Sequence, residues 1–283
     1  MTPVDEIVFV TPSVHIGAFR CPVGHADFVD SGPIRNHCFV FPRTSVVIRH
    51  RDKRPFASDP TLVTLYNKGQ EYEREPVSPQ GDRCDWYAVT VDVLRDALIH
   101  RDPAAAADEA RPIKFPFTRI DADTYLLQRR LFAAARHSKP DPLYVEETVF
   151  ELLDRVLTAA YSADRDASRP PRRTAGDLAR AVCELIGRRF REALTVGDVA
   201  EAIGCSRYHL CRAFKAATGT TLHDHRDQVR LRSALEHLEN AHIDLTQLAL
   251  ELGYSSHSHF TASFRRAFGI TPSAARRRLT ATI

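Results

Sequence analysis

Two cysteines flank a basic and aromatic segment, and thiols at such positions can bind metal ions or form disulfides. The segment reads GCSRYHLCRAF, with the cysteines at Cys205 and Cys211. On a helix, six residues cover about 9 Å and about one and two-thirds turns, so the two thiols would face different sides. This geometry argues against a shared metal ion or disulfide. The candidate functional side chains of this segment are instead Arg207, Tyr208 and Arg212.

The N-terminal half also holds side chains that can bind metals. They are Cys21, His25, His37, Cys38 and Cys84. The pairs among them lie far apart, and none has the spacing of a structural zinc site. The six cysteines of the whole chain form no C-x-x-C pair, so we expect reduced thiols rather than a disulfide framework. The sequence therefore predicts no cofactor.

Length and composition predict two ordinary domains. The chain has 283 residues, 43% of them hydrophobic. No run approaches the ~18 apolar residues of a membrane helix, and the N-terminus MTPVDEIVFV lacks a signal-peptide pattern. We therefore expect a cytoplasmic, nucleoid-associated protein without a membrane partner. Residues 175–283 carry 15 Lys and Arg against 11 Asp and Glu, and this basic excess weakly favours an anionic partner.

The first 161 residues combine short strands with a helical hairpin. From Ile7 to about Thr90, short runs rich in β-branched and aromatic residues alternate with turn residues, which predicts an antiparallel barrel or sandwich. Residues 121–136 and 142–161 change to helical spacing and predict an αα-hairpin, packed on the β-domain or on a second subunit. The polar, Pro-Pro-containing residues 162–174 predict a linker.

The remainder, residues 175–283, is predicted to be all-α and contains an internal repeat. LTVGDVAEAIGCSRYHLCRAFKAATGTT returns about fifty residues later as DLTQLALELGYSSHSHFTASFRRAFGITP. Each copy has a short helix, a turn with Gly204 or Gly253, and a second helix with two buried apolar residues four apart. This pattern predicts helix-turn-helix units at about 196–217 and 245–268.

A connecting helix separates the two units. The segment LHDHRDQVRLRSALEHLENA, residues 222–241, keeps helical spacing without a breaker. Its predicted length of up to ~30 Å is close to the ~34 Å turn of B-DNA. We therefore expect both second helices to enter successive major grooves on one face of the duplex.

These residues resemble the AraC/XylS family of bacterial transcription regulators over about residues 177–279. The first unit and the connecting helix match the family pattern at Ser206, His209, Leu210, Arg212, Phe214, Lys215, Arg230, Leu231 and Ala234. The second unit matches at Ala249, Gly253, Tyr254, Ser256, Ser258, Phe260, Phe264, Arg265, Gly269, Thr271 and Pro272. Ala262 stands where the family usually has Arg, Ala275 where it has an aromatic residue, and His225 where it has Tyr.

The resemblance implies an α+β protein with an N-terminal cupin-like effector and dimerisation domain that includes the helical hairpin. Its implied C-terminal domain is all-α, with two helix-turn-helix units joined by a long helix. Implied partners are double-stranded promoter or operator DNA, RNA polymerase, a small-molecule effector and a second copy of the chain. Two alternatives stay open: a metal- or thiol-responsive sensor that uses the N-terminal Cys and His, and a cupin-type enzyme. The enzyme alternative lacks an H-x-H pair before residue 223, so we expect no catalytic residues.

The exposed faces of the second helices supply the candidate DNA contacts. A guanidinium such as that of Arg212 can bind guanine O6 and N7 with two hydrogen bonds. The residues expected to read bases are Arg207, Tyr208, Arg212, His257, Ser258 and Thr261. The residues expected to bind phosphate are Ser206, Lys215, Ser256, Arg265, Arg266 and Arg276.

Overall fold

Strands dominate the first part of the chain and helices the rest. The computed structural model describes residues 5–30, 32–51, 53–138, 140–166 and 173–280. The strands are β1 (Asp5–Val10), β2 (Val14–Cys21), β3 (Cys38–Pro42), β4 (Val46–His50), β5 (Phe56–Ser58), β6 (Leu62–Tyr66), β7 (Tyr72–Pro76), β8 (Asp82–Val89) and β9 (Phe117–Arg119). The helices are α1 (Val91–Leu98), α2 (Pro103–Ala107), α3 (Ala122–His137), α4 (Pro142–Asp166), α5 (Arg173–Arg189), α6 (Val196–Ile203), α7 (Arg207–Thr218), α8 (Leu222–His237), α9 (Leu245–Glu251), α10 (His257–Phe268) and α11 (Pro272–Thr280). Within these ranges, no helix is both long enough and apolar enough to cross a membrane.

The strands form two antiparallel sheets. The order is β1-β2-β8-β3-β6-β9 in the large sheet and β5-β4-β7 in the small sheet. Among the described strands, β1 and β9 remain as edges of the large sheet, so no hydrogen-bonded ladder closes it. The α+β class is confirmed, while the N-terminal domain is an open two-sheet structure rather than a closed barrel.

The large sheet is buried on both faces, and alternation along β3 shows how. Cys38 and Val40 belong to a cluster that includes Tyr72 of the small sheet. Phe39 and Phe41 point the other way, into the core shared with the helices. This two-sided burial explains why the strand is a continuous apolar run.

The helical hairpin packs within the chain. The buried stripe of α4 includes Leu152 and Val156, which lie in one core with residues of the large sheet and α3. Covering the stripe in this way leaves only outer residues such as Leu143 and Phe150 exposed. Of the predicted linker, residues 167–172 lie outside the described residues.

The connecting helix α8 is shorter than the sequence predicts. It ends at His237, which gives 16 residues and about 24 Å. Val229 packs in the core of the first helix-turn-helix unit, and Leu235 packs in the core of the second. One helix thus contributes to both units.

The second unit packs against the N-terminal part of the chain. Helix α3 contacts α8, α10 and α11, and α5 contacts β5. The core of the second unit is continuous with the core between the large sheet and α3. The N-terminal and C-terminal parts therefore share a packed boundary.

Candidate nucleic-acid interface

Helix α7 begins at a turn that fixes which of its side chains face outward. Gly204 ends α6 in the left-handed conformation, with φ of 75°, which glycine adopts without strain. Ser206 then caps α7, because its hydroxyl accepts a hydrogen bond of 3.3 Å from the amide of His209. Leu210 and Phe214 are fully buried, four residues apart. The opposite side of α7 consequently faces solvent.

Arg212 and Tyr208 form a pair on this outer side. Tyr208 is 72% exposed. Arg212 donates a hydrogen bond of 3.3 Å from Nη1 to the Tyr208 hydroxyl, and its guanidinium carbon lies 5.5 Å from the ring centroid. Within the described residues, Arg212 has no acidic partner within 4 Å. The aromatic ring therefore supports a cation whose charge is available to an anionic or electron-rich ligand.

Arg207 lies against the start of the preceding helix. A Cβ atom added at Gly197 would be 3.1 Å from Nη2 of Arg207. The missing side chain at Gly197 thus leaves room for the guanidinium beside the first turn of α6. Arg207 stays exposed at this contact.

Helix α10 repeats the arrangement of α7. Ser256 caps the helix by accepting a hydrogen bond of 3.1 Å from the amide of His259. Phe260 and Phe264 are fully buried and turn the opposite side outward. The capping hydroxyls of both units are therefore engaged within the protein, and each orders the turn before a candidate recognition helix.

The outer side of α10 contains a shallow hollow around Ala262. The residues that line it are His257, Ser258, Thr261, Ala262, Arg265, Arg266 and Thr271. Nε2 of His257 lies 3.4 Å from the hydroxyl of Thr261. The small side chain of Ala262 leaves a concave surface lined by several polar side chains, with two arginines at its side. Three of the predicted base-reading residues are thus brought together here.

The predicted phosphate-binding cations differ in their surroundings. Lys215, Arg265 and Arg266 are exposed, and in the described part of the chain none has a carboxylate within 4 Å. Arg276 is half-buried and donates a hydrogen bond of 3.0 Å to the carbonyl oxygen of Ile243. It therefore already holds part of its own domain together.

One face of α8, continued past its end, binds the N-terminal domain, a feature that the sequence analysis missed. The side chains on this face are His225, Arg232, Glu236 and Glu239, which recur at helical spacing. His225 faces Asp59, Arg232 donates to the carbonyl oxygens of Pro60 and Ile120, Glu236 pairs with Arg83, and Glu239 pairs with Arg43 and Arg129. We call this set the α8 contact face.

A buried ion network lies at the end of this face. Arg129 of α3 pairs with both Asp85 of β8 and Glu239. Nη1 of Arg43 lies 3.5 Å from Asp85, and its Nη2 lies 3.4 Å from Glu239. Buried charges are costly unless they are paired, so separation of these elements would expose or orphan several of them. Asp85, which directly precedes the apolar run Trp86–Val89 of β8, is the signal in the sequence that could have indicated this network.

The cavity of the N-terminal domain lies between its two sheets. Its volume is about 350 Å³, and its lining includes Tyr66, Tyr72 and Trp86. Cys38 and Cys84 also line it. Burial raises the pKa of the Cys38 thiol to about 12 and that of Cys84 well above its ordinary value. Burial therefore makes both thiols weak nucleophiles.

The structure separates the cysteines and histidines singled out in the sequence. Within the described residues, no three of the N-terminal Cys and His side chains form a group that could hold a metal ion. Cys205 is half-buried and Cys211 is exposed, and both are free cysteines. His223 and His225, the first H-x-H pair, also lie in different surroundings, since His223 is exposed and His225 is buried.

The helical domain is similar in sequence to known regulatory proteins. A family model described as "Helix-turn-helix domain" matches residues 199–278. The regulatory protein SoxS of Escherichia coli K12 is 36% identical over 94 residues, which are 33% of this chain and 88% of SoxS. The HTH-type transcriptional regulator GlxA of Rhizobium meliloti is 34% identical over 98 residues, which are 35% of this chain and 30% of GlxA.

A solved structure of ToxT from Vibrio cholerae aligns with 95% of this chain and 99% of its own, at 11% identity and a TM-score of 0.42. The SoxS match covers nearly the whole of a small regulator, and it falls on the part of the chain that carries the two capped helix-turn-helix units. The chain therefore belongs to the AraC/XylS family of DNA-binding transcription regulators.

Proposed function

We propose that the chain recognises promoter or operator DNA through the outer faces of α7 and α10. The observation that carries the proposal is the Arg212–Tyr208 pair, an exposed and aromatic-supported guanidinium with no acidic partner among the described residues. Such a group can bind O6 and N7 of a guanine in the major groove. Tyr208 would contact a thymine methyl group or a sugar beside it.

All the candidate residues divide by chemistry into two groups. Base contacts are assigned to Arg207, Tyr208, Arg212, His257, Ser258 and Thr261, and phosphate contacts to Ser206, Lys215, Ser256, Arg265, Arg266 and Arg276. The hollow around Ala262 supports a polar readout by α10, since no long side chain fills it. Arg276 is the weakest candidate for a phosphate contact, because its guanidinium also donates a hydrogen bond to the carbonyl oxygen of Ile243.

Selection of bound duplexes from a random pool, followed by affinity measurement on the selected site, tests the base contact. Arg212→Ala should weaken binding by about 5- to 150-fold and relax the preference at one guanine. Arg51→Ala, which removes an exposed arginine of the N-terminal domain, serves as the matched control and should change nothing. Equal affinity and equal base preference in Arg212→Ala and the wild type would refute the assignment.

The salt dependence of binding tests the phosphate contacts. Lys215→Gln and Arg266→Gln should each weaken binding similarly on selected and random duplexes. Each should also reduce the slope of log affinity against log salt concentration by about 1. A loss of sequence preference without a change in slope would instead assign these residues to base contact.

We infer the domain organisation and control of the chain from the same surfaces. Residues 1–161 would form the effector and dimerisation domain, 162–174 the linker, and 175–283 the DNA-binding domain. A small-molecule effector fits the cavity between the sheets, which has a volume of about 350 Å³ and an aromatic and polar lining. The α8 contact face supplies a physical route by which the N-terminal domain can affect both helix-turn-helix units.

A ligand screen by thermal unfolding, with DNA affinity as the second readout, tests the effector site. A true effector should raise the melting temperature and change DNA affinity. Ala88 lines the cavity, and Ala88→Leu would fill part of its volume. This variant should lose both effects while it still melts cooperatively. A compound that acts equally on Ala88→Leu binds elsewhere.

We propose self-association through the outer side of α4, where Leu143 and Phe150 are exposed and lie seven residues apart on one helical face. Leu143→Glu combined with Phe150→Glu should shift sedimentation from dimer to monomer without lowering helix content. A wild-type monomer at all micromolar concentrations would contradict this. RNA polymerase is proposed as a further partner on the resemblance alone, and a transcription assay with purified polymerase on the selected promoter tests it.

A further inference from the structure

Three buried side chains meet where the N-terminal domain contacts the DNA-binding domain. Asp59 follows β5, Cys183 lies in α5, and His225 lies in α8. One ligand atom from each lies within 4.8 Å of the other two. Their exposed fractions are 1%, 5% and 0%. We propose that these three residues form a binding site for a divalent transition-metal ion, Zn²⁺ in the cell, that joins the two domains.

The donor set and its spacing suit zinc. Carboxylate oxygen, thiolate sulfur and imidazole nitrogen are the ligand types that Zn²⁺ takes in proteins. Oδ2 of Asp59 lies 3.3 Å from Nε2 of His225. Zinc bonds of about 2.0–2.2 Å to oxygen and nitrogen at a tetrahedral angle place two such ligands about 3.3–3.6 Å apart. Three protein ligands leave a fourth position for a water molecule.

The histidine faces the carboxylate. His225 is fully buried, and its Nε2 lies close enough to Oδ2 of Asp59 for an ion pair, while among the described residues neither ring nitrogen meets the geometry of a hydrogen bond. Buried polar groups with poor hydrogen-bond geometry cost free energy. A metal ion between Nε2 and Oδ2 would give both atoms a strong bond.

The carboxylate of Asp59 is oriented by hydrogen bonds from Thr61. Its Oδ1 accepts hydrogen bonds from the amide and the hydroxyl of Thr61, at 2.8 Å and 2.6 Å. These bonds fix the carboxylate and leave Oδ2 directed to the histidine. Hydrogen bonds of this kind orient the ligands in protein metal sites. Arg119 donates to the same Thr61 hydroxyl and extends the support.

The ligands of the cluster suit a cation. Asp59 supplies a carboxylate and Cys183 a thiol, and both can carry a negative charge beside a bound metal ion. Arg119 and Arg232 interact electrostatically with Asp59, and both donate hydrogen bonds to other oxygens. A divalent ion with one thiolate and one carboxylate leaves the cluster neutral.

Metal binding involves no change of oxidation state. Zn²⁺ binds the thiolate of Cys183 and an unprotonated nitrogen of His225, and any proton held by either group passes to solvent. Bonds form from the metal to sulfur, nitrogen and oxygen. Because Asp59 comes from the β-domain and the other two ligands come from helices of the DNA-binding domain, the ion stabilises the packed arrangement of the domains.

The test uses the full-length, untagged chain, freed of metal with a chelator and then titrated with Co²⁺. We expect one ion per chain, with the near-ultraviolet charge-transfer absorption of a thiolate–Co²⁺ bond, and we expect Zn²⁺ to displace it. Cys183→Ser should lose that absorption and bind Zn²⁺ at least 10- to 100-fold more weakly, the effect known for outer-shell partners alone. Cys211→Ser and His223→Gln, which change exposed residues, should behave as the wild type.

Two further measurements keep the outcome decisive if Cys183→Ser misfolds. Titration calorimetry of the wild type with Zn²⁺ should report one bound ion per chain. X-ray absorption at the zinc edge should show one sulfur ligand. A wild-type chain that binds no ion, or binds one without sulfur, would overturn the proposal. DNA affinity is not used as a readout, so failure here leaves the proposed DNA recognition standing, and the reverse also holds.

Discussion

Arg232 of the connecting helix donates a hydrogen bond of 2.7 Å to the main-chain carbonyl oxygen of Ile120, in the segment before α3. The same guanidinium donates to the carbonyl of Pro60 at 2.5 Å and is almost completely buried. A helix that belongs to the DNA-binding domain therefore satisfies main-chain acceptors of the N-terminal domain.

Replacement of this arginine should loosen the boundary between the domains. Arg232→Met keeps the apolar stem but leaves two buried carbonyl groups without donors, at a cost of about 1–3 kcal/mol for each group. We expect the free energy of unfolding to fall by about 2–5 kcal/mol in urea titrations. Arg277→Met, on an exposed arginine, is the control and should stay within about 0.5 kcal/mol. An unchanged midpoint for Arg232→Met would show that water replaces the guanidinium.

The aromatic support of Arg212 should be separable from its hydrogen bond. Tyr208→Phe removes only the hydroxyl that accepts from Arg212, so DNA affinity should fall by no more than about 5-fold. Tyr208→Ala removes the ring as well and should cost more, because the guanidinium loses a cation–π contact of about 0.5–1 kcal/mol and its fixed position. Fluorescence anisotropy with the selected duplex measures both variants. Equal losses in the two variants would assign the effect to the hydroxyl.

The two turn glycines should respond differently to the same substitution. Gly253 has φ of 82°, and an added Cβ would lie 2.1 Å from the carbonyl oxygen of Arg191. Gly204 has φ of 75° with nothing within 4 Å of such an atom. Gly204→Ala should therefore cost about 1–2 kcal/mol of backbone strain, and Gly253→Ala clearly more, since main chain must also move. Thermal unfolding of the two variants in parallel gives the comparison, and similar melting temperatures would contradict it.

Stability should fall in mild acid because of one buried histidine. Burial lowers the pKa of His50 to about 4, and Lys53 acts in the same direction. The unfolded imidazole titrates near 6.5, so between about pH 6.5 and 4 the unfolded chain holds a proton that the folded chain lacks. The free energy of unfolding should therefore decrease as the pH falls through this range, by about 3 kcal/mol in total from this group.

Urea titrations at several pH values across that window measure the effect. His50→Gln, which cannot titrate, should have a flatter dependence on pH. His100→Gln removes an exposed histidine and should retain the wild-type slope. A wild-type slope in His50→Gln would assign the acid sensitivity to other groups.

Local patterns were enough to predict the two helix-turn-helix units. Ser206 and Ser256 cap their helices, and the apolar pairs Leu210/Phe214 and Phe260/Phe264 are buried, as their spacing indicates. These features depend on neighbours within a few residues, so the sequence order contains them. The assignment of DNA contacts to the exposed side chains stays a prediction.

Other features were missed or predicted only in part. The sequence does not predict that the sheet is open, because strand pairing joins residues far apart in the chain and alternation alone does not distinguish a barrel from a sandwich. The connecting helix ends at His237 rather than near Ala241, since helix ends are the least certain part of a pattern. In the sequence, His225 stands out only as a departure from the Tyr of the family, whereas the structure buries it against Asp59.

The sequence by itself determined that the C-terminal part is a duplicated, capped helix-turn-helix domain and that strands precede it. Its own periodicities, turn residues and repeated motif carry that information. Only the tertiary structure decided that one side of α8 belongs to the boundary with the N-terminal domain, where His225 and Arg232 meet acceptors more than a hundred residues away. Charged and polar residues at helical spacing usually indicate a solvated face. Only the packing of a second domain buries His225 and Arg232 and pairs Glu236 and Glu239 with arginines of that domain.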